Sequence, residues 1–221
     1  MSNKTVKKKN KKKDRDKKKI LFFILKATIG IMILSGFLYF FVIPPRFNVV
    51  EKVAPEELVY EEMVLTVRTN KPLKLLSLDE NWLDNYMQNY VYKNYHLDPT
   101  IYDFSYEQKG SEYIAKLTPK YNNMHEECYM TEFKDADMDI EDYVMAFLIQ
   151  SRAKFVLDIK GNKEDFSEVL RTGGGVDYQY ATMFWMLLQE KGIKSTIEYI
   201  DGIYYNVVQG KKFDIGNNIY H

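Results

Sequence analysis

One thiol, three imidazoles and a carboxylate placed behind a run of three glycines are the side chains of this 221-residue chain best suited to nucleophilic, acid–base or metal-binding work. A cysteine acts as a nucleophile only as thiolate, which calls for an imidazole beside it. Cys128 stands alone as the thiol, with His96, His125 and His221 scattered along the chain. His125-x-x-Cys128 offers two candidate metal ligands with Glu126 and Glu127 between them and no second pair nearby, so it reads as an unpaired surface patch, not a zinc site. The run DADMD at 135–139 starts like a calcium loop, but its glycine position is Ile140 and its closing-glutamate position is Ala146. Asp139 is instead expected to cap a helix, with Glu141 and Asp142 in the first turn. Asp177 comes after Gly173, Gly174 and Gly175 at the start of another predicted helix. There a carboxylate accepts backbone N–H bonds and meets the positive end of the helix dipole, a cap worth about 0.5–2 kcal/mol.

Hydrophobic spacing gives the helices and strands that carry these groups. Residues 58–68 alternate as a strand through Val59, Met63, Leu65 and Val67, and 80–95 carry Trp82, Leu83, Tyr86, Tyr90 and Val91 at helical spacing. Residues 104–106 and 113–117 form a hairpin around Lys109-Gly110. These make a small α/β module over 58–121, and the polar stretch 122–137 connects it to the carboxy-terminal part. A helix is predicted over 140–155, and a second over 177–191 ending at Gly192. Three short strands, 193–200, 204–208 and 212–215, come next, turning at Asp201-Gly202 and Gln209-Gly210. The fold class is α+β.

The formal charge cancels over the whole chain but not along it. Residues 1–19 hold 11 basic side chains against 2 acidic ones, for +9, whereas 44–221 hold 19 against 29, for −10. The 1–19 tail buries nothing that could offset ordering, so a disordered segment is expected. Residues 20–43 are apolar apart from Lys26 and, as a helix, cover the hydrocarbon core of a bilayer, about 30 Å. Lys26 is close enough to the amino-terminal end to reach the same interface as the tail. A cleaved signal peptide is the competing reading, but the run is long for one and FLYFFVIPPRF has no small-x-small cleavage site. The positive-inside bias then keeps the tail cytoplasmic and places everything after Pro44 outside, on a stalk over 44–57. The lysines suit anionic lipid headgroups or topology alone; no aromatic residue interleaves them, so no specific nucleic-acid partner is expected.

Order and spacing in the carboxy-terminal part carry a resemblance. VLRTGGG at 169–175 leads to Tyr180 and Ala181, Leu187 and Leu188, then Gly192 and Ile193; further on IYYNVVQGKKFD supplies Asn206, Val207, Val208, Gly210, Lys211 and Phe213. Over about 140–216 this resembles the transglutaminase-like superfamily, and 58–121 is similar to the small α/β region that often precedes that domain in membrane-anchored bacterial members. The resemblance implies a papain-like fold over 139–221 and a Cys, His and Asp catalytic set. In this chain the cysteine position holds Asp177, the histidine position Ile203, and the aspartate position Gly216, or Asp214 if the register slips by two. A carboxylate forms no thioester and isoleucine carries no proton, so thiol acyl transfer is not expected, nor is a metal or cofactor.

The resemblance thus implies a membrane-anchored extracytoplasmic pseudoenzyme. Its degenerate cleft, lined by Asp177, Tyr178, Tyr204, Tyr205 and Asn206, would bind an amine-bearing or peptide ligand without reacting, with cell-wall peptides or an envelope protein as partners. Two alternatives stand beside it: a hydrolase or transferase using Asp177 with a non-cysteine partner, and a sensor working through the basic tail.

Overall fold

The computed structural model describes residues 3–71, 79–110, 112–157 and 165–218. It is a mixed helix and sheet protein made of two compact units. The first comprises Met1–Arg46 with Asn70–Asp79, the second Phe47–Thr69 with Glu80–His221.

Helix α1 (Asn3–Phe37) dominates the first unit and continues as a π-helical turn over Leu38–Val42, stopped by Pro44-Pro45. Its segment Lys17–Val42 is long and apolar enough to cross a membrane and is not buried against protein. The tail expected to be disordered is thus the first part of this helix. Residues 3–19 contain neither proline nor glycine, and lysine and arginine are good helix formers. Extending an existing apolar helix also escapes the cost of nucleation. At the other end the Tyr39 hydroxyl donates to the Asn70 carbonyl (2.7 Å), and the Arg46 N–H to Asn70 Oδ1 (2.8 Å). The buried Lys71 ammonium donates to the carbonyls of Tyr39 and Ile43 left open by the end of the helix.

In the second unit, β1 (Phe47–Val49), β2 (Met63–Thr69), β3 (Tyr102–Lys109) and β4 (Glu112–Pro119) form an antiparallel sheet in the order β1-β2-β4-β3. Leu65 and Val67 of β2 pair with Ala115 and Tyr113 of β4, so one face is apolar and buried. Helix α2 (Asp79–Tyr95) contributes Leu83, Met87, Tyr90 and Val91 to that core, and its Tyr86 ring meets Phe47 at 5.2 Å. Two boundaries differ from expectation. The predicted stalk contains strand β1, paired with β2 from Phe47↔Thr69 to Val49↔Val67. The strand expected from residue 58 begins only at Met63, where pairing with Leu117 of β4 starts.

Short helix α3 (Met124–Glu127) precedes α4 (Ile140–Lys154), which Asp139 caps by accepting the Asp142 N–H at 2.9 Å. Strand β5 (Val156–Leu157) runs parallel to β6 (Gly174–Gly175), with α5 (Phe166–Thr172) before β6. Gly173 ends α5 at φ 74°, a conformation suited to glycine; a Cβ there would lie 2.1 Å from the Lys154 carbonyl oxygen. The other two glycines pair with β5, so the glycine run lets three backbones meet just ahead of α6 (Asp177–Glu190).

Helix α6 is the centre of this unit. Every residue from Gln179 to Leu188 is buried, as expected of a helix surrounded on all sides. Phe184 packs on Tyr143 and Phe147 of α4 at 5.8 and 5.1 Å, and Trp185 on Tyr60 at 5.8 Å. The meander β7 (Ser195–Ile200), β8 (Ile203–Val208) and β9 (Lys211–Phe213) also lies against it, where Trp185 Nε1 donates to the Ser195 carbonyl at 3.1 Å. Both hairpins turn on two residues with positive φ, Asp201-Gly202 and Gln209-Gly210, whose twist matches that of the strands. The predicted last strand stops at Phe213, and Ile215–Asn218 form α7 because Asp214 accepts the Asn217 N–H at 3.0 Å and starts a helical turn. The second unit draws together residues on both sides of the polar connection: Tyr60 meets Tyr102 at 5.5 Å and Trp185 at 5.8 Å.

Candidate functional site

The start of α6 is fixed by side chains distant in sequence. Gln179 Oε1 accepts the Val176 N–H (3.1 Å), and its Nε2 donates to Asp98 Oδ2 (2.9 Å). Asp98 Oδ1 accepts from Thr100 through both its N–H and hydroxyl, and the Asp98 N–H donates to Thr182 Oγ1 at 2.9 Å. Asp98 is buried, and burial pushes its carboxyl above the usual range. These bonds hold the end of α2 and the turn after it against α6. Asp177 is the first residue of α6, not the cap residue before it. It accepts the backbone N–H of Tyr178 at 2.9 Å, and the outer cap falls to Gln179.

Around Asp177 stands a group of rings. Tyr178 meets Tyr92 of α2 at 5.5 Å and Tyr204 of β8 at 5.9 Å. The Tyr92 and Tyr204 hydroxyls hydrogen-bond to each other, and Tyr204 contacts Tyr199 at 4.5 Å and His96 at 6.1 Å. Gly216 of α7 closes the other side: a Cβ there would fall 2.7 Å from Asp177 Cβ. Half-burial raises the Asp177 carboxyl above its ordinary value, with the Asp214 charge adding to it and the backbone bonds opposing. Burial likewise raises the Tyr178 and Tyr204 phenols and lowers the His96 imidazole. The result is a half-buried carboxyl among phenols that stay protonated, able to attract a cation or to hydrogen-bond an amide.

The residues expected at the cleft separate. Asp177, Tyr178 and Tyr204 come together, and Tyr204 lies within electrostatic reach of the Asp177 carboxylate. Asn206 shares the face of β8 that Tyr204 uses but sits in the core, its Nδ2 donating to the Ala181 carbonyl at 2.9 Å. Tyr205 and Ile203 alternate onto the opposite face, so the β8 side chain turned toward α6 beside Asp177 is Tyr204, not Ile203. Asp214, the alternative for the aspartate position, and His96, one of the three imidazoles, join the site, and Tyr92 does so without any local sequence signal. His96 comes just after α2 in a left-handed conformation, φ 55°, where the chain reverses.

The pair expected to form a surface patch is buried. Cys128 and His125 are fully enclosed between α3, α4 and the end of α6. His125 Nδ1 lies 2.6 Å from Glu190 Oε2, and its Nε2 lies 2.9 Å from the Tyr143 hydroxyl. The misreading has a local cause: the flanking Glu126 and Glu127 are exposed, but a single helical turn points His125 inward between them. Burial pushes the Cys128 thiol far up, which makes it a poor nucleophile. His221 lies outside the described residues. No group of three metal-ligating side chains is found among the described residues. Comparison with protein-family models, with curated proteins and with solved structures returned no match.

Proposed function

We propose that this chain is a membrane-anchored, extracytoplasmic pseudoenzyme of transglutaminase-like type in a bacterial cell envelope. Its amino terminus is cytoplasmic, and its carboxy-terminal unit holds a cell-wall peptide or an envelope protein in a cleft that performs no acyl transfer. The observation that carries this reading is the placement of Asp177 at the start of the buried helix α6, among Tyr178, Tyr204 and Tyr92 and against Gly216, where the resemblance calls for a thiolate. The helical segment Lys17–Val42, with its excess of lysine and arginine on the amino-terminal side, supports the anchoring and the orientation.

The test is a thermal-shift titration of the full-length chain in detergent micelles against stem peptides and simple amines. Cys128 serves as the reporter, since it is the only cysteine and is buried until unfolding. A ligand at a hundred-fold excess over its Kd stabilises by about 2.7 kcal/mol. A shift lost in Asp177→Ala supports a retained binding cleft. Absence of any shift, with a lower melting temperature for the variant, reduces Asp177 to a helix-start residue and refutes the cleft.

A second reading draws on Asp214, whose charge reaches Asp177 and raises its carboxyl. Two such carboxyls could share acid and base roles in hydrolysis. Release of product from a stem peptide by the wild type, abolished in both Asp177→Asn and Asp214→Asn, would favour that reading over passive binding.

A further inference from the structure

The carboxyl end of α6 opens into a cleft of about 260 Å³, framed by Tyr60 and Glu61 ahead of β2 and by Glu190, Gly192, Ile193 and Lys194 where α6 leads into β7. It lies about 20 Å from Asp177, thirteen residues along the same helix at ~1.5 Å each. That volume is below the range typical of cofactor sites and suits a single side chain.

Three features weigh the cleft toward negative charge, against the cation at its rim, Lys194. The end of α6 carries the negative pole of the helix dipole. Glu61 adds an exposed carboxylate at the rim, and Glu190 adds a largely buried one at the base. Burial raises the Glu190 carboxyl, but the hydrogen bonds from the His125 ring and from the N–H groups of Met124 and His125, together with the charge of His125, outweigh it and hold the carboxyl below its ordinary value. Glu190 thus presents its carboxylate form at the base of the cleft, paired with His125 behind it.

The same bonds set how that charge can be used. Glu190 Oε2 accepts from the His125 N–H at 3.2 Å and from Nδ1 at 2.6 Å, and Oε1 accepts from the Met124 N–H. A carboxylate offers roughly four acceptor positions. Three are filled, and the fourth is on Oε1. A guanidinium needs two parallel acceptors for its fork, whereas an ammonium bonds through one. Tyr60 forms an aromatic wall whose hydroxyl is already used, donating to the Ile101 carbonyl (3.1 Å) and accepting the Tyr121 N–H (3.1 Å). Its ring is held in place by Trp185 and Tyr102 and lines the cleft, where it can meet an aliphatic stem or the cation itself. Ile193 and Val59 supply further apolar lining. Lys194, exposed at the rim, forms an ion pair with neither glutamate among the described residues.

We infer that this cleft is a binding site for a primary ammonium at the end of an aliphatic chain, a lysine-type side chain of a peptide, seated with its stem on Tyr60 and its charge on Glu190. The inference is independent of the Asp177 cleft.

Ligand-detected NMR on the full-length chain in nanodiscs tests it, with N-acetyl-lysine amide as probe and the norleucine and arginine analogues beside it. The lysine probe is expected to saturate, the norleucine analogue to bind about ten-fold more weakly or not at all, and the arginine analogue to fall between them. Glu61→Gln should weaken the lysine probe by about three-fold, as befits an exposed rim charge. Val59→Trp, at a half-exposed rim position, should block it while leaving the melting temperature near that of the wild type. Glu190→Gln should abolish binding, but it can also disturb the His125 bonds; Val59→Trp keeps the test independent of that variant. Equal binding of the norleucine analogue, preference for arginine, no saturable signal, or undiminished binding to Val59→Trp would overturn the inference.

Discussion

Substitution of Gly216 by alanine tests how the start of α6 is built. The added Cβ would lie 2.7 Å from Asp177 Cβ, 2.8 Å from Asp177 Cα and 3.2 Å from the Asp177 carbonyl oxygen. Carbon atoms in contact sit about 3.5–4.0 Å apart, so α7 and α6 must separate by close to an ångström. The neighbouring atoms belong to backbone or lie next to it, and no flexible side-chain tip can give way. Overpacking of this kind costs about 1–3 kcal/mol. The alternative, in which α7 peels away, exposes Ile215, which is fully buried, and costs about 1.5–3 kcal/mol. Both routes converge on a loss of about 1–3 kcal/mol, which for a folded unit of this size lowers the melting temperature by about 2–12 °C. Urea unfolding monitored by fluorescence of the buried Trp185 reads the loss. Gly192→Ala is the comparison: its φ of 72° strains alanine, but nothing lies within 4 Å of the new Cβ. Gly216→Ala should also remove any ligand shift at Asp177, which Gly192→Ala should not. A Gly216→Ala protein within about 0.5 kcal/mol of wild type, the range of ordinary surface changes, would refute the packing of α7 on Asp177.

Asp177 is raised by burial, so its folded carboxyl favours the protonated form; its contribution to stability is present below the unfolded pKa of about 3.9 and is lost as pH rises through the folded value. Asp177→Asn should therefore be more stable than wild type at pH 7 and lose that advantage by about pH 3.5, in chemical unfolding at both pH values. Asn206→Leu should change stability by less than about 1 kcal/mol or raise it, because the lost bond to Ala181 is offset by removal of an acceptor, Oδ1, that has no partner among the described residues; a loss above about 2 kcal/mol would show that the polar contact matters more. The buried Cys128 thiol, held far above its usual pKa, should stay unlabelled by iodoacetamide in the native protein for hours and react at once in urea.

Much of the local structure was legible because it rests on local physics. The apolar run after the lysines, the cap at Asp139, the glycine end of α6 and the two positive-φ hairpin turns each depend on neighbours within four residues. The resemblance also singled out Asp177, Tyr178 and Tyr204, which come together, and Tyr205 and Asn206, which do not join them. The sequence missed strand β1, whose three residues gain their form only by pairing with β2. It placed Cys128 and His125 on the surface because the flanking glutamates hid a single inward-facing turn. The choice of Tyr204 over Ile203 depended on the phase of β8, which burial against α6 settles and composition does not.

A membrane-length helix ahead of an α+β body, with a carboxylate at the start of α6, was written into the order of residues alone. Which side chains meet was a matter of tertiary packing. Tyr92 and Tyr204 are 112 residues apart, and Glu190 lies 65 residues from the histidine that it holds. Contacts at such distances carry no periodic trace in the chain. They form because α6 is apolar on every side and must be surrounded, so whatever packs around it brings its polar groups to the two ends of that helix.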